Sequence, residues 1–287
     1  MRKQRLHEWF ISLPSIVWLT IFFLIPTLIV FMIAFRPADP FGGYGDGWTL
    51  QTIRDLGNPN YPAILWRTIR LSIITTALCV LVAVPAGYGM ARAPEKHRNL
   101  LLMLVVIPFW TSFLIRVFAW KVLLQPQGLL TRLAIFFRLI DPNALLLYNE
   151  GAVLAVMIYT YLPFAILPIY AAAEKFEFSL LDAARDLGAK PLRAFMSVFI
   201  PGIQQGLITA LLMVFIPALG SYVIPDIMGG TASEMLGNKI AQRTFADRNL
   251  PHAAALSALL TLGVLVPMIS ALWYNQKRGT PPQQGGL

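Results

Sequence analysis

Residues 11–35 contain no charged side chain. A lipid-spanning helix needs about 20 apolar residues, so this run is long enough to cross a membrane. Four more runs, 71–91, 151–171, 207–225 and 253–274, are also uncharged and long enough, and a sixth, 100–120, carries one charge, Arg116. Lipid offers no hydrogen bonds to the backbone, so such runs must be helical. They show no period-two alternation, which excludes an outer-membrane barrel. The expected fold class is therefore all-α: a polytopic membrane protein with six transmembrane helices. Composition agrees, with 57% hydrophobic and 13% charged residues. A soluble domain has roughly 45–50% and about 25%.

The first run follows a basic start (Arg2, Lys3, Arg5). Its apolar stretch is longer than that of a cleaved leader, and it reads as an uncleaved first span. Six spans place both termini on one side. With that side cytoplasmic, the inside segments hold 12 Lys/Arg in 66 residues, and the outside ones 10 in 92. The tight basic loop around Arg92, Lys96 and Arg98 favours this orientation most clearly. The expected location is a bacterial cytoplasmic (inner) membrane. The net charge of +9 is dispersed between apolar runs, so it marks membrane topology and not nucleic-acid binding. Cys79 is the one cysteine, and His7, His97 and His252 lie far apart, so neither a disulfide framework nor a metal centre is expected. The stretch 128–140 is apolar but short and broken by Arg132 and Arg138, as suits an interfacial helix. The tail 279–287, rich in Gly, Pro and Gln, is expected to be disordered. The chain reads as one transmembrane domain over 1–287, with a cytoplasmic loop at 172–206.

That loop carries most of the functional information. Ser179 is placed to cap a helix, with Asp182 three residues on as a capping-box variant. Gly188 is placed to end that helix in a left-handed conformation. Pro191 suits the first turn of a second helix. Leu180, Leu181, Ala183, Ala184 and Leu187 nearly encircle the first helix, which is expected to bury itself against something, such as a groove on a partner.

The pattern Asp182-Ala183-Ala184-x3-Gly188-x9-Val198-x-Ile200-Pro201 resembles the EAA loop of ABC-importer permeases, Glu-Ala-Ala-x3-Gly-x9-Ile-x-Leu-Pro. Every spacing matches, with Asp for Glu, Val for Ile and Ile for Leu. Segments at 108–116, 161–170 and 225–230 are similar to parts of the putrescine/spermidine (polyamine) importer permeases. The resemblance implies the type I importer permease (MetI-like) fold. It implies that Asp182, Ala183, Ala184, Gly188 and Pro201 couple the pore to a cytoplasmic ATPase dimer. It also implies a second homologous permease and an external substrate-binding protein as partners, besides membrane lipid. The chain has no GxxxxGK[ST] phosphate loop. ATP and Mg would be held by the partner subunits, and this chain is expected to carry no cofactor and no catalytic residue.

For the solute, the six runs contain no Asp or Glu. Trp110 and Thr111 fall mid-run in the third, Tyr159 and Tyr161 in the fourth. Two readings stand for these four: a path whose ring faces favour a cation, worth roughly 0.5–2 kcal/mol each, or ordinary helix packing. Arg116 is either a snorkelling anchor or a pore residue. The loop 226–252 is either a binding-protein contact or an ordinary ordered loop. The same machine carrying an amino-acid derivative, iron or an organophosphonate remains an alternative. An ion-coupled secondary transporter fits less well, because it would need intramembrane acids or histidines. No pair of carboxylates or nucleophile with its base suggests a membrane enzyme.

Overall fold

The computed structural model describes residues 12–141, 144–230 and 233–277. Among them every regular element is a helix, apart from isolated bridges joining Ala38 to Tyr44 and Gly43 to Asn249. Residues 1–11 and 278–287, the disordered-tail expectation with them, lie outside the described residues. In chain order the helices are α1 (Ser12–Ile33), α2 (Gln51–Asp55), α3 (Asn60–Arg92), α4 (Glu95–Val106), α5 (Phe113–Leu124), α6 (Leu129–Phe136) and α7 (Glu150–Glu174). Then come α8 (Ser179–Asp186), α9 (Pro191–Gly202), α10 (Gln204–Leu219), α11 (Val223–Met228), α12 (Leu236–Ala241) and α13 (Leu250–Lys277).

Among the described residues three helices, α1, α3 and α7, are each long and apolar enough to cross a membrane. Two more spans arise only if each of two bent pairs counts as one. The expected third run is not one helix. Residues 95–110 and 113–136 meet at 93°, because Pro108 sits in a 3-10 turn, Ile107–Trp110, and Thr111 and Ser112 are extended. The fifth is preceded by a 73° break between α9 and α10, at Ile203 (φ −102°, ψ 15°). The sixth expectation, 253–274, falls on α13, whose apolar part is described over Leu250–Val266. By contrast α7 continues through Pro163 and Pro168 as one helix. Its start is fixed by Asn149, whose side chain accepts from the Ala152 N–H at 2.9 Å, and Glu150 in the first turn suits the helix dipole. The short apolar helix expected at 128–140 is α6, with Leu129, Leu133 and Phe136 exposed.

The chain divides into two compact units, residues 63–238 and residues 1–62 with 239–287. In the first, α7 is the centre: Val153, Val156, Met157, Ala165, Ile169 and Ala173 are all fully buried. Its closest neighbour is α10. A Cβ on Gly206 would lie 2.5 Å from the Ala172 Cβ and 2.7 Å from the Pro168 carbonyl oxygen, so the two backbones approach as only a glycine permits. At the other end of α7, Glu150 pairs with Arg67, at 3.4 Å, and with Arg70, both on α3. The start of α12 is tied to the same helix by the Leu236 N–H donating to the Thr68 hydroxyl at 2.8 Å. In the second unit α13 lies along α1, with Ala34, Ala254 and Ala255 in contact. Otherwise α1 buries none of its apolar window within the chain, as a lipid-facing span should.

Gly206→Ala should therefore overpack the contact between α7 and α10. The expected loss is about 1–3 kcal/mol, read as a lower thermal unfolding midpoint of the detergent-purified protein.

Candidate functional site

The segment 172–206 folds as a helix, a glycine turn and a second helix, and its anchoring comes from aromatic rings. Ser179 is the first residue of α8 and makes no cap. The cap position is held by Phe178 in helical conformation (φ −66°, ψ −20°), with no side-chain bond. The capping box expected of Ser179 and Asp182 is thus corrected. The chain enters α8 through a turn that is already helical, so the Leu180 and Leu181 N–H groups find the Glu177 and Phe178 carbonyls at 3.2 and 3.0 Å. Asp182 is exposed and lies 3.8 Å from Arg185 instead.

The other end follows the sequence reading. Gly188 has φ +88°. Its N–H donates to the Arg185 carbonyl at 2.8 Å, and the Ala189 N–H reaches back to the Ala184 carbonyl at 3.0 Å. These two bonds are the Schellman termination that satisfies the last carbonyls of a helix. A Cβ on Gly188 would meet nothing within 4 Å, so only the backbone angle demands glycine there. Pro191 opens α9 at its first turn. Pro201 is exposed in the last turn of α9, one residue before Gly202, where a Cβ would lie 2.4 Å from the Phe176 ring.

Of the α8 apolar residues only Leu181 is buried. Ala184 is half-buried and Ala183 exposed. Leu180 and Leu187 face outward, joined by Leu192 and Met196. Leu187 is 90% exposed, so these side chains find no full apolar cover among the described residues. A helix of eight residues is marginal alone, and its position is set from beneath. The Tyr88 ring meets Phe178, Phe195 and Phe199 edge-on at 5.9, 5.3 and 5.0 Å. Phe176 joins Phe178 and Phe199 at 5.4 and 5.2 Å. Arg92 donates to the Tyr88 hydroxyl at 2.7 Å and lies over the Phe178 ring at 5.6 Å. The Arg98–Glu174 pair, 3.2 Å, fastens the start of α4 to the end of α7. This cluster joins the end of α3, the entry to α8 and the π turn of α9, and sequence reasoning missed it. The rings come from three separate segments, so no local period marks them; the close spacing of Phe176 with Phe178 and of Phe195 with Phe199 was the available signal.

The four candidates for a solute path do not converge. Trp110 and Thr111 sit at the elbow before α5. Trp110 is 77% exposed, and the Thr111 hydroxyl donates to the Pro108 carbonyl at 2.8 Å. Tyr159 and Tyr161 lie two residues apart on α7, hence on nearly opposite faces. Tyr159 packs its ring 5.3 Å from Trp120 and borders an apolar groove of about 480 Å³ with Pro85, Met90, Leu104 and Pro108. Tyr161 is buried, and its hydroxyl donates to the Pro217 carbonyl at 3.3 Å.

The profile of a family described as “Binding-protein-dependent transport system inner membrane component” matches residues 83–278. The spermidine/putrescine transport system permease protein PotB of Haemophilus influenzae is 36% identical over 261 residues, 91% of each chain. The protein of the same name from Escherichia coli is 33% identical, over 89% of this chain and 93% of that one. The inner membrane ABC transporter permease protein YdcU of Escherichia coli is 33% identical over 79% of this chain and 74% of its own. Among solved structures, a bacterial ABC transporter involved in import of the acidic polysaccharide alginate superposes with a TM-score of 0.67 and 16% identity, covering 97% of this chain and 98% of that one. The alginate transporter in complex with its pentasaccharide-bound periplasmic protein gives 0.70 and 16%, covering 94% and 93%. At that identity these two speak for the fold alone.

The geometry separates two effects. Phe199 is fully buried, and Phe199→Ala should cost about 3–5 kcal/mol and loosen α8, seen as faster amide hydrogen exchange across 179–194. Asp182→Ala removes no cap and should change stability by less than about 0.5 kcal/mol, leaving that exchange unaltered.

Proposed function

Because this chain belongs to the family of binding-protein-dependent transport system inner membrane components, we propose that it is the pore subunit of an ATP-driven importer of polyamines such as putrescine and spermidine. It is a multi-pass permease component of the inner membrane, not an enzyme. The polyamine reading is supported by the names of relatives at 33–36% identity over about nine-tenths of the chain. In this reading both termini are cytoplasmic, and ATP and Mg are bound by a dimer of separate ATPase subunits. A second, homologous permease completes the pore, and an external binding protein delivers the solute.

The observation that carries the coupling role is the α8–α9 segment. A glycine-terminated helix presents Leu180, Leu187, Leu192 and Met196 to the outside while five rings fix its base. A partner groove that buries those side chains and moves on nucleotide binding pushes against a firm mount. The push then reaches α3 through Tyr88 and α10 through the α9 break at Ile203. Asp182, Ala183, Ala184, Gly188 and Pro201 act in this scheme as the docking surface and its turn.

Solute passage relies on weak groups. A polyamine carries at least two positive charges, and exposed ring faces such as Trp110 attract cations without holding them tightly. High affinity then belongs to the external protein, and low affinity in the pore lets the solute leave.

Cells lacking this chain should lose uptake of labelled putrescine and spermidine and regain it with the intact gene. Gly188→Val puts a branched residue at φ +88° at a cost of about 1–3 kcal/mol. It should insert normally yet fail to restore uptake. Unchanged uptake on deletion would reject the polyamine assignment, and solute-stimulated ATP hydrolysis surviving Gly188→Val would reject the coupling role. Trp110→Ala should lower uptake severalfold, about the factor that a lost cation–π contact of 0.5–1 kcal/mol gives, at an unchanged protein level on immunoblots.

A further inference from the structure

The unit built from residues 1–62 and 239–287 contains a polar pocket remote in sequence from the coupling segment. It has a volume of about 480 Å³ and is lined by Arg54, Asp55, Asn58, Tyr61, Arg243 and His252. Arg54, Asp55 and Asn58 form an exposed rim, and Tyr61 and His252 are each 8% exposed. The floor is organised. Arg243 gives one Nη to Asp247 at 2.8 Å and the other to the Tyr61 hydroxyl at 3.1 Å. The His252 ring lies 5.3 Å from the Tyr61 ring, and its backbone N–H donates to the Asn249 side chain at 3.1 Å.

Two polar atoms of that floor are buried without a partner among the described residues: Arg243 Nε and His252 Nε2. A guanidinium Nε can only donate, and an unsatisfied buried donor is expensive. A partner that reaches Arg243 Nε would therefore have to bring an acceptor. On the rim the Arg54 guanidinium makes no hydrogen bond or ion pair among the described residues, whereas the Asp55 carboxylate already accepts from Gln51 at 3.1 Å. A cationic ligand would meet two guanidiniums. A carboxylate has two acceptor oxygens in the plane that a guanidinium matches.

We infer that this pocket binds a carboxylate, supplied by an acidic side chain of the external binding protein as it docks. The source rests on the importer reading above: with both termini cytoplasmic, the segments that follow the first span and precede the last face outward. The exposed rim over an organised floor suits a protruding side chain better than a fully enclosed small molecule. Asp55 and Asp247 offset the charge of the two arginines, so selectivity comes from the converging donors and not from a strong positive field. Such a contact would report the arrival of the binding protein directly to α2, to the start of α3 and to α13.

The test uses the whole importer reconstituted in lipid nanodiscs, with its binding protein and, separately, sodium succinate against sodium chloride at equal ionic strength. Arg54→Gln and His252→Leu should each weaken docking of the binding protein about tenfold, and Arg54→Lys should recover part of the loss. Unchanged docking, with succinate raising the thermal midpoint of the wild type but not of the variants, would overturn the docking role and assign the site to a free dicarboxylate. No effect in either arm would overturn the carboxylate site altogether. Docking affinity is read whatever the solute, so failure of the polyamine assignment would leave this result standing.

Discussion

Every backbone amide within lipid has to find its partner inside the chain, and the architecture follows from that single demand. Where the helices are continuous and free of proline the demand is met automatically, and several hydroxyls bond back onto the helix that carries them. Thr20, Thr27, Thr76, Ser257 and Thr261 each donate to the carbonyl four residues back. Where a helix stops, the freed groups need named partners. The elbow at Thr111 is closed by the Thr111 N–H and hydroxyl, both directed to the Pro108 carbonyl. The carbonyl of Pro217, near the end of α10, is taken by the Tyr161 hydroxyl. A tyrosine at mid-run depth thus serves as a helix-end partner, a structural use that its position in the sequence does not disclose.

The build of the segment 172–206 follows from a similar demand. A surface helix of eight residues cannot be held by propensity alone, and exposed leucines cannot hold it before a partner arrives. The rings of Tyr88, Phe176, Phe178, Phe195 and Phe199 supply a mount of edge-to-face and stacked pairs, each worth about 0.5–1.5 kcal/mol beyond the area it buries. Arg92 closes the mount by bonding to the Tyr88 hydroxyl and lying over Phe178. The segment is then held at its base and apolar at its tip, as the coupling role proposed for it requires.

Much of this was legible in the sequence, and the limits are physical. Long apolar runs and glycine and proline at turn positions are local signals, so the helical class, the Gly188 turn and the start at Pro191 could be read directly. The Ser179 cap could not: a serine caps only where its own backbone stays outside the helix, and here the chain is already helical at Phe178, whose ring is held by contacts from elsewhere in the chain. Proline was an ambiguous sign. Pro108 marks a break, while Pro163 and Pro168 lie within the continuous α7, and the break at Ile203 falls between Gly202 and the polar pair Gln204 and Gln205. The polar pocket was invisible because Arg54 and Arg243 are far apart in the chain and meet only through α2, α3 and α13.

Arg116 shows how such a break changes the meaning of a position. Along the sequence it lies inside an apolar run, where a charge is costly and calls for a special role. In the folded chain it is the fourth residue of α5, one turn past a right-angle elbow, and its backbone N–H bonds to the Ser112 carbonyl at 3.2 Å. A cation in the first turn of a helix is opposed by the helix dipole, by about 0.3–1 kcal/mol, so α5 itself gains nothing from it. Its Nε is buried without a partner among the described residues, so no hydrogen bond from that atom explains it either. The elbow does bear on its depth. A helix that turns by 93° no longer carries its residues along the direction of the one before, and Arg116 need not sit at the depth its place in the run suggests. Depth in a bilayer follows the helix axis and not the count of residues, and it is the breaks that separate the two.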